Sequence, residues 1–145
     1  MTSEHLLHTI PPIYDRNSKI LILGSFPSVK SREVSFYYGH PQNRFWRVLA
    51  AVLGCAVPSS NEEKTALLQS HNIALWDVIK SCDIVGSSDS SIKNVVPNDI
   101  GAILSSCGIR QIYSNGKTSE KLFNKYIKDT VGRDTVALPS TSPAH

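Results

Sequence analysis

An α/β sandwich, with a central parallel four-stranded sheet and helices on both faces, is what this chain predicts. Three observations carry it. Four short strand-like stretches recur: Lys19 to Leu23, Ile73 to Val78, Gln111 to Ser114 and Thr135 to Leu138. The first reads K-I-L-I-L, a continuous apolar run that suits a strand buried on both faces of a parallel sheet. Segments with apolar residues at helical spacing lie between the strands, so a β-loop-α order repeats. Parallel strands joined this way are connected by right-handed crossovers.

Met1 to Ser18 is polar, holds Pro11-Pro12 and reads as an arm leading into the first strand. Gly24 closes that strand, and Gly24 and Pro27 turn the chain into a loop. Arg44 to Leu53 predicts a helix with Phe45, Val48, Leu49 and Val52 on one face and Gly54 as its stop. Phe45 and Trp46 are assigned to the core. Ser59-Ser60-Asn61-Glu62-Glu63 is a capping cluster with acids in the first turn, opening a helix to about Ser70 that buries Leu67 and Leu68.

Ile73 to Val78 is the second strand. Lys80 to Val96 reads as a long polar stretch with little to pack. Pro97-Asn98-Asp99 opens a helix to about Cys107, with Asp99 at its positive end. The third strand ends in the Asn115-Gly116 turn. Thr118 or Ser119 is expected to cap a helix to about Ile127, with Leu122, Phe123 and Tyr126 inward. The fourth strand runs into a loop from Pro139 to His145.

A chain of 145 residues is expected to be one domain with a sizeable core. Its 41% hydrophobic and 19% charged residues are ordinary for a globular protein. A net charge of +3 and a pI near 8.8 are compatible with a polyanionic partner without proving one. No apolar run approaches membrane-span length and no signal-peptide order is visible, so no membrane is expected as partner. Cys55, Cys82 and Cys107 are odd in number and widely spaced, which points to reduced thiols in an intracellular protein and away from a disulfide frame. Neither cysteines nor histidines stand at ligand spacing, so no metal or other cofactor is expected.

The loop after the first strand holds an unusual set of side chains: Ser25, Ser28, Ser31, Tyr37, Tyr38, His40, Gln42 and Asn43. In open α/β sheets, ligands sit at the carboxyl ends of strands. Gly24 and Ser25 bring main-chain N–H groups to that edge, where only a small residue permits close approach. His40 precedes Pro41, which holds its backbone extended; it reads as a contact to base or phosphate, or as a structural histidine. Asn43 sits where a helix cap is favoured, and its amide is equally suited to hold a water. Lys30, Arg32, Arg44, Arg47, Lys80 and Lys93 fall around the loops, where they could meet phosphates.

The motifs G-S-F-P-S, Y-Y-G-H-P-Q-N-R-F-W and the terminal L-P-S-T-S-P-A-H resemble the uracil-DNA glycosylase superfamily, nearest to its hypoxanthine-DNA (deoxyinosine) glycosylase branch. The resemblance runs from about Ile10 to His145. It implies the strand order 2-1-3-4 and a final helix after the last motif. This chain stops at His145, so it is either truncated or lacks that helix, which would leave one sheet face less covered.

The resemblance also implies a chemistry. A base is flipped out of DNA and its N-glycosidic bond is hydrolysed, with water arriving opposite the leaving base. Relatives place an Asp or an Asn at the position of Phe26. Phe26 cannot orient water, so the polar, water-positioning role passes to Asn43. Tyr38 matches the aromatic wall on which an extruded base stacks; Tyr37 reads as core. Asp77 matches the position that reads the base edge, and an ionised carboxylate suits the N1–H of hypoxanthine. A capping or turn role is equally open to Asp77. Ser140 and Ser142, with Ser28, are expected at the DNA backbone, where small hydroxyls and N–H groups pinch phosphates. His145 is expected at the DNA with them, inserting or donating, and stands where the branch commonly has Asn. Gly86 to Asn94 reads as a further DNA-facing loop or a solvated one.

The expectation is a cofactor-free, monomeric, monofunctional glycosylase of base excision repair. Its partner is DNA holding a deaminated base, hypoxanthine first and uracil second. A rival is a catalytically inactive nucleic-acid-binding module of the same fold, favoured by Phe26 and by the stop at His145. An esterase-like protein using Ser25 as nucleophile ranks last, since no G-x-S-x-G elbow is present.

Overall fold

The computed structural model describes residues 2–143. In chain order its elements are β1 (Glu4–Leu7), β2 (Ile20–Gly24), α1 (Val29–Val34), α2 (Phe45–Leu53), α3 (Asn61–Ser70), β3 (Ile73–Asp77), β4 (Ile79–Ile84) and β5 (Lys93–Pro97), then α4 (Ile100–Ser106), β6 (Gln111–Asn115), α5 (Lys117–Tyr126), α6 (Lys128–Val131) and β7 (Val136–Leu138). A parallel sheet in the order β3-β2-β6-β7 forms the centre. Counted among its own four strands, that is second, first, third, fourth, as the resemblance implied.

Alternation along the strands divides the core in two. Leu21, Leu23, Ala74 and Ile112 face the α4–α5 side and pack with Ile100, Ile103, Phe123 and Ile127. Ile22, Ile73 and Leu75 face the other side and pack with Phe45, Trp46, Leu49 and Leu68 of α2 and α3. Fully burying a side chain of this size contributes roughly 1.5–3 kcal/mol, and both layers depend on the period-2 pattern being kept.

The helices follow their local signals with two corrections. Ser60 accepts from the Glu63 N–H, and Glu63 returns a carboxylate to the Ser59 N–H, closing α3's first turn. Asp99 caps α4 through Ala102 N–H. In α2, however, Val48 and Val52 are exposed and the inward stripe is Phe45, Trp46, Leu49 and Ala50. Positions 48 and 52 lie roughly 100° round the helix from 49 and 53, outside the covered face. In α5, Gly116 takes the cap position, and the expected cap Ser119 is buried, donating to Leu23 O at 2.7 Å. That bond ties α5 to β2.

Two stretches expected to be irregular are ordered. The N-terminal arm contains β1, and the polar stretch after β3 contains β4 and β5. Together they form a separate antiparallel sheet, β1-β4-β5. Its apolar content is small: Ile79, Cys82 and Ile84, with Leu6, Phe26, Ile92, Val95 and Leu122 packed against them. Polar pairs add to the backbone ladders on the exposed face, with Asp83 accepting from Asn94 Nδ2 and bonded to His5 Nδ1. Pro97 pairs at the end of β5, on an edge strand, where a missing N–H is tolerated. The loop after β2 also contains a helix the sequence did not signal, α1, capped by Ser28 Oγ accepting from Ser31 N–H at 3.1 Å.

Candidate functional site at the carboxyl edge of the parallel sheet

Strand register builds the site. Gly24 pairs with Asp77, and Asn115 with Leu138, so the ends of β2, β3, β6 and β7 lie along one edge. A cavity opens there, lined by Gly24, Ser25 and Phe26 from the β2 loop and by Ser28, Tyr38 and Asn43 farther along it. Asp77, Asn115, Ser140, Thr141 and Ser142 complete it with Ser87 and Asp89 from the β4–β5 connection. The expected set is therefore gathered, apart from two members. His40 does not line the cavity; its Nδ1 accepts from the Gln42 N–H and its carbonyl from the Asn43 N–H, so it shapes the turn into α2. His145 lies outside the described residues.

Asn43 is held from two sides. Its Oδ1 accepts from the Phe45 N–H at 2.9 Å and from the Thr141 hydroxyl at 2.9 Å. Arg44 takes the cap position of α2, and the Asn43 side chain closes the turn just before it, so that turn and the site are one arrangement. The carbonyl has two lone pairs and both are engaged, so the Nδ2 end of the amide is what remains to meet a water. Thr141 is itself gripped by Asn115, whose Nδ2 donates to Thr141 Oγ1 and whose Oδ1 accepts from Thr141 N–H. Arg44 clamps the same loop, with its N–H on Thr141 O and its guanidinium on Ser140 O.

Tyr38 adopts a left-handed backbone, φ 53°, which is uncommon for an aromatic residue. That turn sets its ring on Phe45, with centroids 4.1 Å apart and planes 20° from parallel. Phe45 is core and Tyr38 is half-buried, so the pair is a rigid wall rather than a mobile ring. The Tyr38 hydroxyl is buried without a well-formed hydrogen bond among the described residues. Burial, then the Asp77 carboxylate, raise its pKa above the usual phenol value; the nearby Asn115 amide offsets part of this. Tyr37, by contrast, is core as expected, 2% exposed, with its hydroxyl on the Ile10 and Pro11 carbonyls.

Asp77 is buried, with Asn98 Nδ2 donating to its main-chain carbonyl. Its carboxylate needs Gly24: a Cβ there would collide with Asp77 Oδ1 and lie 3.1 Å from the Tyr38 hydroxyl oxygen. Ser28 lines the cavity, but its hydroxyl serves the α1 cap, so the expected phosphate contact through that hydroxyl competes with the helix start. Phe26 packs on the small antiparallel sheet with the Arg32 guanidinium over its ring.

Among the candidate basic residues, Arg32 donates to Gly86 O and Lys30 lies 3.7 Å from Glu33. The stronger positive feature is a groove lined by Lys93, Lys121 and Lys125 that shares Ser87, Asp89 and Ser142 with the cavity. The two α5 lysines were missed because they sit in an amphipathic helix whose solvent face is normally charged. Asn115 and Thr141 were missed because Asn-Gly and Ser-Thr-Ser-Pro each read as turns. No described group of three His, Cys, Asp or Glu is placed to hold a metal ion, and no described helix is long and apolar enough to cross a membrane.

Known proteins resemble this arrangement. The family model described as the uracil DNA glycosylase superfamily matches residues 11–145. A protein named hypoxanthine DNA glycosylase from Methanosarcina barkeri is 35% identical over 137 residues, which is 93% of this chain and 85% of that one. One of the same name from Methanosarcina acetivorans is 36% identical over the same shares. The solution NMR structure of a Methanosarcina acetivorans protein that carries the uracil DNA glycosylase name superposes with a TM-score of 0.80 at 35% identity, over 93% of this chain and 84% of that one.

Proposed function

The chain belongs to the uracil DNA glycosylase superfamily, and from that premise we propose that it hydrolyses the N-glycosidic bond of a deaminated base flipped from DNA, hypoxanthine in preference to uracil. The supporting observation is the cavity that brings Asn43, Tyr38, Asp77 and the Ser140–Ser142 loop together beside the main chain of Gly24. The relatives named for hypoxanthine lend weight to that base.

In this reading, the flipped base stacks on Tyr38, an interaction worth roughly 1–3 kcal/mol per base. The stacked pair with Phe45 keeps that face in place before substrate arrives, so little ordering is left for binding to supply. Asp77 accepts from the base edge. The Asn43 Nδ2 donor holds the attacking water, its orientation set by the two bonds on Oδ1. Water adds at C1′ of the deoxyribose as the bond to the base breaks; the base leaves with a proton and an abasic site remains. No lysine lines the cavity among the described residues, so the strand is expected to stay uncut. Ser140 and Ser142 face the phosphates, and the Lys93–Lys121–Lys125 groove continues the path of the backbone.

The test is to incubate the protein with labelled duplexes holding inosine, uracil or xanthine and to look for alkali-labile product. Base release from the inosine strand, faster than from uracil, is the expected result. Release from none of them refutes the activity. The second reading, an inactive nucleic-acid-binding module, draws on Phe26 at the catalytic position of relatives and on the fully engaged Asn43 carbonyl. Salt-sensitive binding without base release is its signature.

A further inference from the structure

The residue that no motif pointed to is His8, just past the end of β1. We propose that His8 is a positioning residue that fixes the Asp77 carboxylate with Oδ1 facing the cavity as a hydrogen-bond acceptor, and that this pair makes the cavity select bases carrying an N–H at the ring edge against bases carrying a lone pair there. The inference rests on the reading that the cavity takes a flipped base.

His8 Nε2 lies 2.7 Å from Asp77 Oδ2, with the two side chains 1% and 5% exposed. A carboxylate buried this deeply is costly unless it is paired. In this pairing the imidazole Nε2–H is the donor and the carboxylate oxygen the acceptor. The imidazole is not free to turn away. Its main-chain N–H is tied to Lys80 O at 2.7 Å, and its ring lies edge-on to Phe26 at 6.0 Å and tilted against Tyr37 at 6.1 Å. With Oδ2 taken by His8, Oδ1 is the oxygen turned toward Gly24 and the cavity.

Deamination of adenine changes two positions of the ring edge: the C6 amino donor becomes a carbonyl acceptor, and N1 changes from acceptor to donor. N1 of adenine is a lone-pair acceptor; N1 of hypoxanthine carries a hydrogen. A carboxylate accepts from the second and repels the first. That distinction needs Oδ1 held toward the base, and His8, bonded to Oδ2, is placed to hold it there. The antiparallel sheet thereby gains a purpose in the site: it delivers His8 to the back of Asp77.

The experiment compares single-turnover release of hypoxanthine with release of unsubstituted purine, whose N1 is a lone pair, from otherwise identical duplexes, using wild-type chain, His8→Leu, His8→Gln and Asp77→Asn. His8→Leu is expected to lose hypoxanthine release about tenfold or more, the effect of one hydrogen bond to a charged group, with purine release kept or raised. His8→Gln, which supplies an N–H donor at similar reach, is expected to restore most of the hypoxanthine rate. Equal loss on both substrates, no rescue by Gln, or no loss at all overturns the proposal. If wild-type protein releases no base from any duplex, the glycosylase reading is what fails. The His8 role is then judged by the imidazole Nε2–H signal in nuclear magnetic resonance of the wild-type chain: a protected signal lost in Asp77→Asn upholds the pairing, and its absence overturns it.

Discussion

Thr141 and Asn43 stand 98 residues apart in the chain, and a 2.9 Å hydrogen bond from the threonine hydroxyl to the asparagine carbonyl joins them. The bond connects the start of α2 to the loop that leaves β7. It makes Asn43 a fixed element of the cavity, because one oxygen serves both the Phe45 N–H at the start of α2 and the Thr141 hydroxyl. Two consequences can be separated by substitution.

Asn43→Ala removes the turn hydrogen bond to Phe45 and the amide together. Stability is expected to fall by about 1 kcal/mol, the usual net contribution of a hydrogen bond. Base release is expected to fall by about 10²-fold or more, the range for removing one positioned polar group from a reacting centre. Thermal melting and single-turnover kinetics measure the two effects, and duplex binding should persist. Unchanged turnover in a folded Asn43→Ala protein removes this residue from the catalytic role.

Thr141→Val keeps the shape of the side chain and deletes the hydroxyl that bridges Asn43 and Asn115. Stability is expected to fall by about 1–2 kcal/mol as two hydrogen bonds disappear. Turnover should fall with it, since Asn43 loses one of its two restraints. A double-mutant cycle of Thr141→Val with Asn115→Ala is expected to be non-additive, because both residues act through one network.

Tyr38→Phe is expected to raise stability and lower activity. The hydroxyl is buried without a well-formed bond, a state that costs about 1–3 kcal/mol, so its removal favours the free protein. The stacked ring on Phe45 is kept, so substrate binding should change less than turnover. Alkaline titration supplies an independent check. Tyr37 and Tyr38 both hold their protons above the usual phenol range, through burial first and then the Asp77 carboxylate. Above a pH of about 10, ordinary for a tyrosine, the unfolded chain gives up protons that the folded chain retains. Stability is therefore full below that pH and declines above it, and phenolate absorbance from these two residues should appear only with unfolding.

Lys121→Gln with Lys125→Gln tests the groove beside the cavity. Duplex affinity is expected to fall at low salt, and the slope of log affinity against log salt to shrink by about 1 for each phosphate no longer neutralised. Base preference should not change, as binding to the sugar-phosphate backbone carries no base information. A salt slope equal to wild type places the DNA path elsewhere.

Residue patterning was enough for the four strands of the parallel sheet, the helices between them and the loops that carry the site. Each rests on short-range regularities: a run such as Ile20 to Leu23, a cap such as Ser60 or Asp99, a motif such as Y-Y-G-H-P-Q-N-R-F-W. The antiparallel sheet was not legible, because its strands alternate weakly and their apolar residues are few and interleaved with polar ones. The same holds for His8 behind Asp77 and for Thr141 and Asn115 around Asn43. Local spacing records what a residue does for its own turn of helix or strand, whereas these pairings bridge 69, 98 and 26 positions. They exist because strand register brings distant chain ends to one edge, and a buried carboxylate or amide there must find whichever partner the packing delivers.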